Sequence, residues 1–558
     1  MKRGALLTVI VLSLLAGVAR SQHTDTHARS SERAVLVEGT GIYGRKISTS
    51  SPLAQKFFDQ GLRLVYGYYF PEAIASFQEA QRYDPDNPMI LWGLAFATGP
   101  NPNSRKNGFP DDPQGEGRKA IAAASAHLTK STPVERAMIE SLSVLYDLDH
   151  YPDRLVRDNK YIEATQLLAA RYHKDLEAGF MYVNALMTRG AWTYWRRDGS
   201  PLPGTHEAAT TLEHLMGLNP NHPGAVHLYV HLFENSGEPQ RALPQADRLE
   251  SLMPKAGHMV HMPSHIYVRV GQYEKAIISN ERSVAADKYF LATWGDHPFP
   301  TSGTYPLSSR THAGHAFHLL QQAAALQGNY QRALQAAIAM PTASHNLMAM
   351  NPRQQRAPMT WLVHKIFGKW DALLAESPPA QDRLYLQGVW HYVRGSAYVG
   401  RGEPDKAENE LEALKATSEN PALKDIRSGA NQAVSILQML SSGLSGEIAM
   451  SRGRPAEAVN HFEEAVRVQD TLNFSEPPDW GQSMRHYLGA ALLKSGRAKD
   501  AEAIYRADLR EFQENGWALF GLWQSLLAQG KTAEAQAIRS RFERAWRNSD
   551  VILSASVF

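Results

Sequence analysis

The 558-residue sequence contains no cysteine. Disulfides, thiolate metal sites and lipid attachment through an N-terminal cysteine are all excluded, so any bound metal has to be held by His, Asp, Glu or Met. Neither sign of charge is in excess, with 58 Lys and Arg against 56 Asp and Glu. A near-neutral chain with no basic run has no electrostatic case for nucleic acid. G-x-S-x-G, H-E-x-x-H and a Walker glycine loop are missing, which removes the motif-based cases for a serine hydrolase, a zincin or a P-loop enzyme. Strand-like alternation is missing over any long stretch, and only one segment approaches the length of a membrane span.

That segment is the first 21 residues. Lys2 and Arg3 precede the apolar run "GALLTVIVLSLLAGVA", and Ala19-Arg20-Ser21 places small residues three and one before a cut. This predicts a secretory signal peptide over 1–21, a mature chain beginning near Gln22, and a periplasmic or secreted protein without a stable membrane span after cleavage. Loss of Lys2, Arg3 and Arg20 takes the formal charge from +2 to −1. Residues 22–50 are rich in Ser, Thr and His without a core pattern and read as a flexible lead-in.

From about Leu53 the pattern is helical and repeats. In "FFDQGLRLVYGYYFPEAIASFQEAQRYDPDNP", Gly61, Ala73, Phe77, Ala80 and Pro85 fall at the offsets of a 34-residue helix-hairpin repeat of tetratricopeptide (TPR) type. Small residues let two antiparallel helices approach, Phe77 fills the gap between them, and Pro85 stops the second helix. Gly446, Ala458, Phe462 and Ala465 repeat the pattern; so do Gly489 with Ala501, Ala535, and Gly395 with Tyr398 and Ala407. Glycine-centred turns, "VGQY", "QGNY", "RGEP", "RGRP", "SGRA" and "QGKT", separate the two helices of each copy. Ala276 and Ala333 mark weaker copies at irregular spacing, which predicts insertions over about 280–315 and 340–380. The expectation is an all-α TPR-type α-solenoid, a right-handed superhelix of helix hairpins with loop insertions. N-terminal repeats occupy 51–205, His-rich central repeats 206–340 and C-terminal repeats 341–558.

Histidine is unevenly spread: 12 of the 22 lie between His206 and His318. In "HPGAVHLYVHLFE", Pro223 suits a first helical position and His222 the cap before it. His227, His231 and Glu234 follow at steps of four and three, within about 60° of one another at 100° per residue, on one helix face. In "GHMVHMPSHIYVRVGQY", His258, His261 and His265 share a face if the helix is unbroken, and Pro263 predicts either a helix start or a kink. The third group is "RTHAGHAFHLL", with His312, His315 and His318. Imidazoles with a carboxylate on one face suit metal ligation, and equivalent helices of neighbouring hairpins stack side by side. The predicted ligands are His227, His231, His258, His261, His265, His315 and His318, with Glu234 as ligand or general base. Cu, Zn and Fe all fit this donor set, and Met259 and Met262 beside His261 lean towards copper. Aromatic stretches at 191–205, around Trp390 and His391, and in "NFSEPPDW" could wall a pocket.

The segments "FFDQGLRLVYGYYFPEAIASFQEAQ", "MILWGLAFATGPN", "HPGAVHLYVHLFE", "AGHMVHMPSHIYVRVGQY", "WHYVRG", "EPPDW" and "ENGWALFGL" together resemble a large group of exported bacterial TPR-domain proteins, over nearly the whole mature chain. The resemblance implies the TPR superhelix and no stated activity. Around "MILWG" this chain departs from versions that carry cysteines, which removes a thiol role and leaves the histidines. Three functions follow as expectations. One is a metal-binding concave pocket, catalytic or not; another is a metal carrier without chemistry. The third is a non-catalytic scaffold whose groove takes a peptide, a small molecule or an envelope protein.

Overall fold

In a computed structural model of the chain, residues 33–343 and 351–558 are described. The signal-peptide expectation for 1–21 lies outside them. The regular secondary structure of the described residues is almost entirely helical; their strands are one hairpin, Arg427–Ser428 against Asn431–Gln432, and a single Trp195–Pro201 bridge. None of their helices is long and apolar enough to cross a membrane.

Helix starts use a repeated signal, a capping side chain followed by proline. Ser51 caps Pro52–Tyr66, Asn87 caps Pro88–Thr98, and Thr132 forms a capping box with Glu135 at the start of Pro133–Leu145. Helix ends use glycine. The six glycine-centred turns place Gly271, Gly328, Gly402, Gly453, Gly496 and Gly530 at φ between 71° and 80°, which reverses the chain into the next helix without a Cβ penalty.

Between the hairpins an aromatic ring is wedged against glycines on both sides. A Cβ on Gly61 would lie 2.8 Å from the Phe77 ring, and one on Gly93 of the following helix 2.5 Å from the same ring. Tyr505 repeats the wedge between Gly489 and Gly521, at 2.3 and 2.1 Å, and Phe462 sits against Gly446 at 2.6 Å. The recurring glycines are therefore contact surfaces for the rings of the second helices, which is the packing of a TPR-type α-solenoid.

Two expectations are corrected. Residues 33–50 are a packed strap and not a loose lead-in: Ala34, Val37, Thr40 and Ile47 are buried, the Val37 amide donates to Gln60 Oε1 at 2.7 Å, and the Lys255 amide donates to the Gly39 carbonyl at 2.9 Å. One anchor is on the next helix and the other, Lys255, is in a turn far along the chain, so sequence composition alone does not reveal the packing. The insertions are also more helical than their spacing predicts. Tyr273–Trp294 runs on for 22 residues and leaves only 295–308 irregular. Within 340–380, helices Met359–Ile366 and Trp370–Ala375 form a further short hairpin, with 344–350 outside the described residues.

Candidate metal centre

Four helical segments meet around the histidines. Pro223–Phe233 carries His227 and His231, with Glu234 at its end. His222 caps it as expected, its Nδ1 accepting from the Ala225 amide at 3.0 Å. Gly257–His261 carries His258 and His261, and Pro263–Arg269 carries His265. Met262 between them keeps helical angles, so the chain bends at Pro263 and stays helical. Ser309–Leu326 carries His312, His315 and His318. The helices stop short of a regular hairpin array here, and their facing sides are polar.

Three clusters form. His227, His231 and His258 can each offer an atom within 4.8 Å of the others, as can His261, His265 and His315, and also His231, Glu234 and His265. Across separate helices, His258 Nε2 lies 3.2 Å from His227 Nε2. Across the Pro263 bend, His265 Nε2 lies 2.8 Å from His261 Nε2. Two nitrogens bound tetrahedrally to an ion at 2.0–2.1 Å are about 3.3 Å apart, so the His227–His258 spacing is that of a ligand pair, while the His261–His265 spacing is that of a hydrogen bond.

The outward nitrogens are tied to the protein. His227 Nδ1 donates to the Tyr66 carbonyl at 2.6 Å, and His261 Nδ1 to Asn280 Oδ1 at 2.6 Å. The Asn280 amide is oriented by its own donation to the Ala276 carbonyl at 2.7 Å. His231 Nδ1 lies 2.9 Å from Glu234 Oε1, and His312 Nδ1 2.9 Å from Asp287 Oδ2. His265 Nδ1 lies 2.6 Å from Glu234 Oε2 and also touches Glu476. In His227, His231, His261 and His312 an Nδ1–H so engaged leaves the Nε2 lone pair facing inward, the arrangement that outer-sphere partners impose on metal-bound histidine. The Nε2 atoms of His231 and His312 have no protein partner and are buried.

Six of the seven rings in this patch, those other than His315, are at most 6% exposed, and His315 is partly buried. Burial, and then repulsion among neighbouring rings, pushes His227, His231, His258, His261 and His315 well below the usual imidazole range. They are neutral at neutral pH, the form that binds metal. His265 differs. Burial alone would lower it, but the carboxylates of Glu476 and Glu234 outweigh burial and push it up to about 10. Burial, and then the Glu234 charge, raises the Glu476 carboxyl above its ordinary value.

His318 joins none of the clusters. It is buried, and burial followed by the Arg356 charge holds it well below the usual imidazole range. Glu234 sits behind His231 and His265, on their outward nitrogens. The Trp192 ring from the 191–205 stretch lies 4.0 Å from the His231 ring, and Tyr68 lies 4.7 Å from His227. Tyr68 and Trp192 both hold positive φ, 58° and 66°. Such backbone costs of order 1–3 kcal/mol and persists where its surroundings over-determine it, commonly at functional sites. Trp390 and His391 pack elsewhere, against Trp361 and Glu410. Met259 and Met262 are in the apolar core. His312 was visible in the sequence as part of the third group but is not among the predicted ligands. Asn280, Asp287 and Glu476 carried no signal, apart from the aromatic and proline-rich setting of Glu476.

A cavity of about 30 Å³, lined by Glu234, His265, Arg269, Gln322, Glu476 and Phe512 among others, abuts this cluster. It has room for one or two water-sized molecules.

The fold is that of a TPR-type helical-repeat protein, on the helix packing described above. No protein-family model matches the chain, and no curated protein is similar to it. Among solved structures it is similar to the human IFIT1 dimer with m7Gppp-AAAA, at 12% identity and a TM-score of 0.33 over 86% of this chain and 94% of that one. A tetratricopeptide repeat protein from Parabacteroides merdae is similar at 12% identity and a TM-score of 0.32, over 64% and 99%. The APC/C hetero-tetramer Cut9–Hcn1 is similar at 13% identity and 0.29, over 89% and 74%.

Proposed function

We propose that this protein is exported and that its central repeats hold a transition metal in the histidine cluster, with Cu, Zn and Fe as the candidates for its donor set. One observation carries the reading: Nε2 atoms from different helical segments come within 3.2 and 2.8 Å of each other while the Nδ1 atoms of His227 and His261 are hydrogen-bonded outward and His265 Nδ1 sits 2.6 Å from Glu234 Oε2. In the metal-free chain these short contacts are N–H···N hydrogen bonds. A cation replaces the shared proton, so binding releases protons. The unpartnered Nε2 atoms of His231 and His312 support the same reading, because leaving such an atom buried and unpaired costs about 1–3 kcal/mol.

His227, His231, His258, His261, His265 and His315 are the ligands in this reading. Glu234 is the carboxylate that orients His231 and His265, and with Glu476 it lines the adjoining cavity, where either could act as a base for a bound water. An ion with an open position would there activate water or another water-sized ligand. Burial of the rings weighs against the peptide-groove alternative, which needs them spread along an exposed face.

The test is elemental analysis of protein prepared from envelope fractions without chelator, together with His231→Ala and His261→Ala. The expected result is bound metal in the natural chain and folded, metal-poor variants. Wild-type protein that takes up no Zn(II), Cu(II) or Fe(II), or variants with full occupancy, would overturn the reading and favour the scaffold. For export, N-terminal sequencing is expected to find Gln22 first; an intact Met1 on a cytosolic product would refute it.

A further inference from the structure

The geometry points to a dinuclear centre: two metal ions side by side, one on His227, His231 and His258 and the other on His261, His265 and His315, with His312 between them. This rests on the metal-binding reading above and specifies its nuclearity.

Each set of three is a complete facial donor set by itself, since its ligand atoms lie within 4.8 Å of one another. The sets are neighbours and not remote sites. The His258 and His261 rings are 6.0 Å apart, and the His231 and His265 rings 5.6 Å. His312 lies 5.2 Å from His258 in the first set and 5.1 Å from His261 in the second, with its Nε2 buried and unpartnered. A single tetrahedral or octahedral ion cannot use seven imidazoles, whereas two ions account for six and leave His312 to serve either.

Glu234 ties the sets together. Its Oε1 meets His231 Nδ1 at 2.9 Å and its Oε2 meets His265 Nδ1 at 2.6 Å, so one carboxylate orients a ligand of each ion. That explains why His231, Glu234 and His265 also form a compact group. Glu234 lies on the outward nitrogens of both rings, so the group is an outer shell shared by two ions and not a third metal site. The cavity at Glu234, His265, Arg269 and Glu476 lies on the carboxylate side of His265, behind the second set. Two adjacent ions able to clamp a small oxygen ligand are a recurrent catalytic arrangement.

The experiment is titration of apo full-length protein with Zn(II) and, separately, with Cu(II), on wild type, His258→Gln and His315→Gln, with circular dichroism and thermal melting to establish folding. Wild type is expected to take up two ions per chain and each variant one. Cu(II)-loaded wild type is expected to show a spin-coupled, diminished electron paramagnetic resonance signal, and each variant a full mononuclear signal. Uptake of one ion by wild type would overturn the dinuclear proposal and leave the metal-binding reading standing; no uptake would overturn both. If His258→Gln fails to fold, the stoichiometry and spin coupling of wild type decide the question without it.

Discussion

The C-terminal repeats and the central repeats bury the same side chain for different ends. In the C-terminal repeats the buried His486 is satisfied locally: its Nε2 lies 3.0 Å from Asp508 on the second helix of its own hairpin and 3.1 Å from the amide of Asn515, which caps the next helix. Around it the packing is the regular wedge of Tyr505 between Gly489 and Gly521. In the central repeats the outward nitrogens of His227, His231, His261 and His312 are satisfied in the same manner, by Tyr66, Glu234, Asn280 and Asp287, but the inward ones face each other or nothing. A histidine that ends its hydrogen bonds within the scaffold is structural. A set whose second nitrogens converge is arranged for something that is not protein.

The sharpest way to break this contrast is to remove one ring from each region. His261→Ala is expected to weaken metal binding by roughly 100-fold or more, since outer partners alone typically carry 10–100-fold; competition titration against a chelator measures it. Asn280→Ala, which frees the outer nitrogen of His261, should fall within that 10–100-fold range. His486→Ala should leave metal affinity unchanged and lower stability by about 1–3 kcal/mol, because the buried Asp508 loses one of its hydrogen-bond partners. Urea denaturation of the metal-free proteins would show it, and metal loss in His486→Ala would erase the distinction.

Next in size is the scaffold itself. Gly521→Ala places a methyl 2.1 Å from the Tyr505 ring, and overpacking of this kind costs about 1–3 kcal/mol. Denaturation should register that cost with no change in metal affinity.

The smallest effect separates the regions by pH. His227, His258, His261 and His315 have folded-state pKa values below the unfolded value near 6.5, so below that pH the unfolded chain binds more protons than the folded one. Stability of the metal-free protein is then full above about pH 6.5 and is lost as pH falls beneath it. His265 runs the other way. Its folded value near 10 contributes stability that is full below about pH 6.5 and is lost as pH rises towards 10. Melting temperatures of the apo protein from pH 5 to 7 should therefore rise with pH, and more weakly in His258→Gln. A flat profile would mean that the rings are not held neutral by burial.

What the sequence by itself determined is what depends on near neighbours. Helical period, proline starts, glycine turns and the small-residue and aromatic spacing act within one hairpin or between adjacent ones, so Gly61, Phe77 and Phe462 could be read directly. The same holds for His227, His231 and Glu234, which one helix places on one face. Only the tertiary structure decided which nitrogen of each ring faces inward. That depends on acceptors brought from distant parts of the chain, the Tyr66 carbonyl, Asn280, Asp287 and Glu476, by helices whose order of stacking no local pattern encodes. It also set His318 apart from the clusters and placed His312 between two of them. Burial depth and ring convergence are properties of how the irregular central hairpins close on each other, and short-range chemistry does not specify that closure.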